Sequence, residues 1–217
     1  VIRADLVGQA LDGSPYFEYV RVFNADTPLS FAVDPARWPE LAGANGYLYI
    51  VAHKTPAQWA ADRALNEVRF ASQTVALGGH DLSSNIFPVL FGPISGDAGL
   101  GFGVGYDAVL DLNWNGVLDA GDVIQGLSEE PGFWVVAPPE ALGPAPVAHA
   151  LYSGGSFLGQ DTYFPRDIDR LGQVPLVVIS HGNGHNYKWY DHIGIHLASH
   201  GYIVMSHQNQ TGPGPET

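Results

Sequence analysis

Residues 174–207 read VPLVVISHGNGHNYKWYDHIGIHLASHGYIVMSH. Pro175–Ser180 is a short, nearly continuous apolar run, the pattern of a strand buried on both faces. His181-Gly-Asn-Gly184 breaks it with two glycines. Trp189, Ile193 and Leu197 then recur at helical spacing, and Gly201 is placed to stop the helix. Tyr202–Met205 begins a second apolar strand. The stretch therefore predicts a βαβ unit with a Gly-rich turn after its first strand.

Upstream, residues 1–136 read as an all-β module. Phe17–Phe23 alternates bulky apolar with polar residues, and Leu29–Val33, Tyr47–His53 and Val68–Leu77 are also β-rich. Pro, Gly, Asn and Asp clusters separate them, which predicts a sandwich of short strands. Pro56–Asp62 reads as a helical turn or two with Pro56 early in it. Gly101–Leu110 suits a twisted strand, Phe133–Val136 the last strand of the module, and His80–Pro93 a loop with a strand fragment. Residues 137–146 carry four prolines and read as a stiff linker. Residues 147–217 form the second module, with short strands expected at His149–Ser153 and Asp161–Pro165 and a loop at the tail. The fold class expected is α+β in two modules.

The chain has 217 residues, 9 Lys plus Arg against 22 Asp plus Glu, and a formal net charge of −13. That balance argues against nucleic acid or an anionic membrane as partner and fits an extracellular protein, a cation binder, or both. With no cysteine, disulfides, thiolate metal sites and a Cys nucleophile are excluded. No apolar run is long enough to expect a transmembrane helix.

Asp111, Asn113, Asn115, Gly116, Asp119 and Asp122 occupy positions 1, 3, 5, 6, 9 and 12 of a calcium loop. Gly116 permits the sharp turn, Val117 offers its carbonyl, and Leu118 would anchor the loop inward. The residues Asp111, Asn113, Asn115, Val117, Asp119 and Asp122 are thus candidate ligands of a structural calcium ion. The loop resembles those of dockerin modules in ending on Asp instead of Glu. It is expected on a β module and not between two helices. His192, His196 and His200 share a helix face, but no HExxH glutamate accompanies them. They read as partly exposed helix residues, with His200 favourably placed at the helix end. His53, His80 and His149 read as structural. Asn209-Gln-Thr211 matches a glycosylation sequon of little weight.

Pro175–Gly182 and Leu197–Val204 resemble the third strand, first helix and next strand of the α/β-hydrolase superfamily. The likeness is to the branch of platelet-activating-factor acetylhydrolases, cutinase-like polyesterases and dienelactone-hydrolase relatives. It implies a doubly wound sheet, a Ser-His-Asp triad and ester substrates of lipid or polyester type; secretion is expected separately, from the acidic composition. It also implies that the Asn183 N–H is an oxyanion-hole donor, with Gly182 and Gly184 giving the substrate room. No Gly-x-Ser-x-Gly occurs; Gly154-Gly-Ser-Phe-Leu158 fails at its last position. The nucleophile, acid and His would all lie downstream. The chain is therefore expected to be the N-terminal piece of a larger polypeptide. Its partner would be the C-terminal remainder of the hydrolase domain, as a second chain or a missing segment. A non-catalytic, calcium-dependent surface or adhesion protein and a peptidase on the same fold remain alternative expectations.

Overall fold

A computed structural model describes residues 1–11, 17–25, 27–79, 81–96, 103–154 and 157–208. His80, the failed Gly-x-Ser-x-Gly at residues 155–156 and the sequon at 209–211 lie outside the described residues. Residues 1–96 with 103–136 form one unit, and a second unit begins at Ala137. Among the described residues no helix is long and apolar enough to cross a membrane.

The first unit contains β1 (Ile2–Arg3), β2 (Val7–Ala10), β3 (Phe17–Tyr19), β4 (Val22–Asn24), β5 (Ser30–Ala32), β6 (Asn45–Ala52), α1 (Pro56–Ala61), β7 (Gln73–Ala76), β8 (Ile86–Pro88), β9 (Val104–Asp111), β10 (Val123–Gln125) and β11 (Phe133–Val136). Its spine is β9. One edge of β9 pairs antiparallel with β6, from Tyr47↔Asp111 to Ala52↔Tyr106. The other edge is shared. β10 takes the C-terminal part (Val123↔Leu110) and β11 the N-terminal part (Phe133↔Tyr106). β7 extends the sheet beyond β6, while β1 and β4 add parallel strands beyond β10 and β11. A second, antiparallel sheet runs β3-β2-β5-β8.

Period-two alternation sorts β9 between two apolar layers. Tyr106, Ala108 and Leu110 join Leu48, Ile50, Phe133 and Val135 in a core cluster that also holds Val7 and Phe31 of the second sheet. On the opposite face, Val109 packs with Val51 and Ile124 under Trp59 and Leu118. Trp59 is delivered by α1, whose start is over-determined. Pro56 sits in its first turn, and Thr55 and Gln58 form a reciprocal capping box.

A carboxylate sits within this second layer. Asp107 is fully buried and accepts hydrogen bonds from the Trp59 indole at 3.1 Å, Lys54 N–H at 3.2 Å and Gly132 N–H at 3.0 Å. His53 Nδ1 lies 3.0 Å from the same carboxylate. Asp107 therefore ties β9 to the end of β6, to α1 and to the segment entering β11. His53 is thus held by a buried carboxylate that had no local signature in the sequence.

Two expectations for this unit change. Phe17–Phe23 is two strands in different sheets, because the chain crosses between them at Val20–Arg21. Val68–Leu77 forms a strand only over Gln73–Ala76. Before it, the buried Arg69 guanidinium pairs with Glu67 at 2.7 Å and donates to the carbonyls of Leu48 and Leu90. This holds the preceding segment out of the ladder.

The second unit contains β12 (Val147–Gly154), β13 (Phe157–Pro165), β14 (Leu176–Ser180), α2 (Asp191–Ser199) and β15 (Ile203–His207). The strand order is β12-β13-β15-β14, antiparallel except for the β14/β15 pair, which is parallel and joined through α2. Val177, Ile179, Val204, Tyr163 and Ala198 pack on the α2 side. β14 is not buried on both faces as expected: Leu176 is 59% and Val178 52% exposed, because no described element of this unit covers that side. The helix also differs. Trp189 lies before it in a 3₁₀ turn and is exposed, Ile193 is 37% exposed, and the buried stripe is Gly194 and Ala198. Residues 137–146 are tied to the end of α2. Gly143 N–H donates to Ser199 Oγ at 2.8 Å, and Ala145 N–H to the Ser199 carbonyl at 3.1 Å.

Asp107→Ala strands three buried donors and the facing imidazole at once. It is expected to cost about 3 kcal/mol or more, read as a fall in Tm by differential scanning calorimetry. A Tm within a degree of the parent would show that the cluster is not a keystone.

Candidate active site

β14 ends at Ser180 and the chain turns at once. His181 is buried, with its Nδ1 3.1 Å from the Gly182 carbonyl. Gly182–His185 is a β-turn closed by His185 N–H donating to Gly182 O at 3.2 Å. Gly184, its third residue, has φ +79°. Such a turn needs a left-handed residue there, which glycine supplies without a Cβ penalty. Gly182, Asn183 and Gly184 are all exposed, and a Cβ on Gly182 would meet nothing within 4 Å. The Asn183 N–H has no acceptor among the described residues. The turn therefore presents a bare main-chain donor on open surface at the C-terminal end of a parallel strand. Asn186 Oδ1 then accepts Lys188 N–H at 3.0 Å and starts the 3₁₀ turn leading into α2. Further along α2, His192 is exposed. The His196 and His200 rings lie 5.1 Å apart, and His200 Nε2 is 3.0 Å from the Ala141 carbonyl at the helix end.

One cluster in this unit escaped the sequence reading. His149 Nε2 contacts the Asp161 carboxylate and its ring stacks on Tyr163 at 4.7 Å. Tyr163 donates to the other Asp161 oxygen at 3.3 Å. Burial, followed by the adjacent Asp161 charge, pushes the Tyr163 phenol up to about 12. The three residues are cross-strand neighbours on β12 and β13, so only the register His149↔Tyr163 brings them together.

In the first unit, the acidic loop is the connection of the β9/β10 hairpin. Asp111 and Asp122 are buried at its neck. Asp111 accepts Trp114 N–H at 2.7 Å and Gly116 N–H at 2.8 Å; Asp122 accepts Leu112 N–H at 3.0 Å and Asp119 N–H at 2.8 Å. The Asn113 and Asn115 side-chain oxygens accept Asn115 N–H and Val117 N–H, and their amide nitrogens reach Asp119 at 2.9 and 2.7 Å. Gly116 has φ +72°, and Leu118 is buried beneath the loop.

Carboxylate electrostatics divide inside this loop. Burial, reinforced by Asp111 and Asp119, raises the Asp122 carboxyl above its ordinary value. Hydrogen bonds from Asn115 and Asn113 hold Asp119 below its own. Among the described residues no three His, Cys, Asp or Glu side chains converge to hold an ion by themselves. A cation here would depend on the asparagine oxygens and the Val117 carbonyl as well. This set consists only of hard oxygen donors, the chemistry that suits calcium.

A family model described as platelet-activating factor acetylhydrolase, isoform II, matches residues 160–211. The match runs from β13 through β14, the Gly-rich turn and α2 to β15. It supports a hydrolase-type family with lipase or esterase chemistry. No curated protein matches the chain.

Proposed function

We propose that the second unit is the N-terminal part of a serine hydrolase domain that cleaves carboxylic esters of lipid or polyester type. The observation that carries this reading is the exposed, unengaged Asn183 N–H after β14, inside the segment matched by the acetylhydrolase family. Attack on an ester carbonyl moves negative charge onto its oxygen. A fixed N–H aimed at that oxygen stabilises the charge without reorganising during the reaction. Gly182 keeps the approach clear, and Gly184 sets the turn that fixes the donor. The nucleophile, its histidine and the acid come from the remainder of the domain, as a second chain or a further segment. That remainder also covers the open side of β14, where Leu176 and Val178 wait for a partner layer.

The acidic loop binds a structural calcium ion in this reading, held by Asp111, Asn113, Asn115, the Val117 carbonyl and Asp122, with Asp119 reached through water. The ion would offset the mutual repulsion of the three carboxylates and brace the loop at the end of the β9/β10 hairpin. The acidic balance of the chain and a calcium site fit an extracellular setting.

Ester hydrolysis by the protein with its catalytic remainder tests the donor. Asn183→Pro removes the N–H and is expected to lower kcat about 10²–10³-fold with little change in KM. Gly182→Ala is expected to leave Tm unchanged while lowering kcat/KM. Unaltered kinetics in both variants would defeat the assignment.

For the loop, calorimetry with calcium is expected to raise the parent Tm, by mass action about 2.7 kcal/mol at 100 times Kd. Protons compete for Asp122, whose carboxyl is raised, so calcium affinity falls as pH drops through that raised value. Asp119, held low, stays ionised further down. Absence of any calcium-dependent rise at neutral pH contradicts the site.

A further inference from the structure

The chain has only nine basic residues against 22 acidic ones, yet three of the nine line one cleft of the first unit. Arg3 from β1, Arg21 before β4 and Arg37 after β5 surround a concavity of about 290 Å³. Gln125 and the half-buried Trp38 also line it. The Gln125 amide is already engaged and does not serve the arginines. Gln125 Oε1 accepts Leu6 N–H at 2.7 Å and Val7 N–H at 2.8 Å, while its amide donates to the Gly132 carbonyl at 2.8 Å.

The charge balance of the lining is three guanidinium groups against one carboxylate, Asp5. Asp5 pairs with Arg21 alone, at 3.2 Å and with both side chains well exposed, a pair that contributes little by itself. The guanidinium groups of Arg3 and Arg37 have no hydrogen-bond or ion-pair partner among the described residues. In a chain of net charge −13, solvated arginines would gain from any of the surplus carboxylates. Two such groups beside a third place three positive charges against one negative around a single concavity of an acidic protein. Guanidinium forks match phosphate and carboxylate oxygens in pairs.

We propose that this cleft is a binding site for a small soluble polyanion carrying two or more clustered oxyanion groups, phosphate or carboxylate, on a short skeleton. Arg3, Arg21 and Arg37 clamp the anionic groups and Trp38 packs the skeleton. The site is independent of the hydrolytic assignment of the second unit. A free anion is favoured over a lipid headgroup because the opening is concave and the surplus charge elsewhere repels an anionic bilayer.

Isothermal titration of the full chain with pyrophosphate, and separately with citrate, tests this in calcium-free buffer at constant ionic strength. Saturable binding is expected, weakening as salt is raised. Arg3→Gln and Arg37→Gln are each expected to weaken it about tenfold. Asp5→Asn is expected to strengthen it severalfold by releasing Arg21, and Arg170→Gln, outside the cleft, to leave it unchanged. Melting temperatures without ligand check that these surface variants stay folded. Binding no stronger than that of chloride at equal ionic strength, or variants that bind like the parent, would overturn the site. Sedimentation with phosphatidate-containing vesicles in preference to free pyrophosphate would overturn its assignment to a soluble ligand.

Discussion

The first unit depends on β9 being enclosed on four sides. Both edges are hydrogen-bonded, by β6 along one and by β10 and β11 along the other. Both faces are covered, by the shared core of two sheets and by the layer around Trp59 and Leu118. A strand so enclosed cannot carry an unpaired charge, yet Asp107 and Asp111 both lie on it. Each is tolerated because donors converge on it: backbone N–H groups at both, joined at Asp107 by the Trp59 indole. That requirement organises what surrounds the strand. Asp107 gathers α1 and the approach to β11, and Asp111 gathers the turn of the acidic loop. The loop is thus an extension of the spine, and its geometry is anchored before any ion is considered.

The second unit is built around a weaker constraint. A parallel pair, β14 and β15, normally lies under cover on both sides. Here α2 covers one side and the other remains apolar and exposed. The same strand delivers the Gly-rich turn, so the group proposed to do chemistry and the surface that lacks a layer sit on one element.

Legibility in the sequence followed locality. The βαβ stretch, α1 and the strand at Phe133–Val136 were readable because caps, glycines and apolar runs act within a few residues. The tight turn of the acidic loop was readable because its Asp, Asn and Gly spacing is a local property. The buried stripe of α2 was misread: Trp189 and Ile193 are the bulky residues, yet Gly194 and Ala198 face Tyr163, where a small residue is what close approach requires. Phe17–Phe23 looked like one strand because alternation survives a change of sheet. The Asp107 cluster, the His149–Asp161–Tyr163 group and the three-arginine cleft had no linear signature, since each joins strands distant in sequence or a register that only pairing sets.

The central claim is that the Gly-rich turn belongs to a working serine esterase. The most direct measurement is labelling of the whole protein, catalytic remainder included, with a fluorophosphonate probe, followed by mass spectrometry of the modified peptide. The account predicts stoichiometric modification of one serine of the catalytic remainder, blocked by prior incubation with an ester substrate analogue. A whole protein that takes up no probe and cleaves no p-nitrophenyl ester would contradict it.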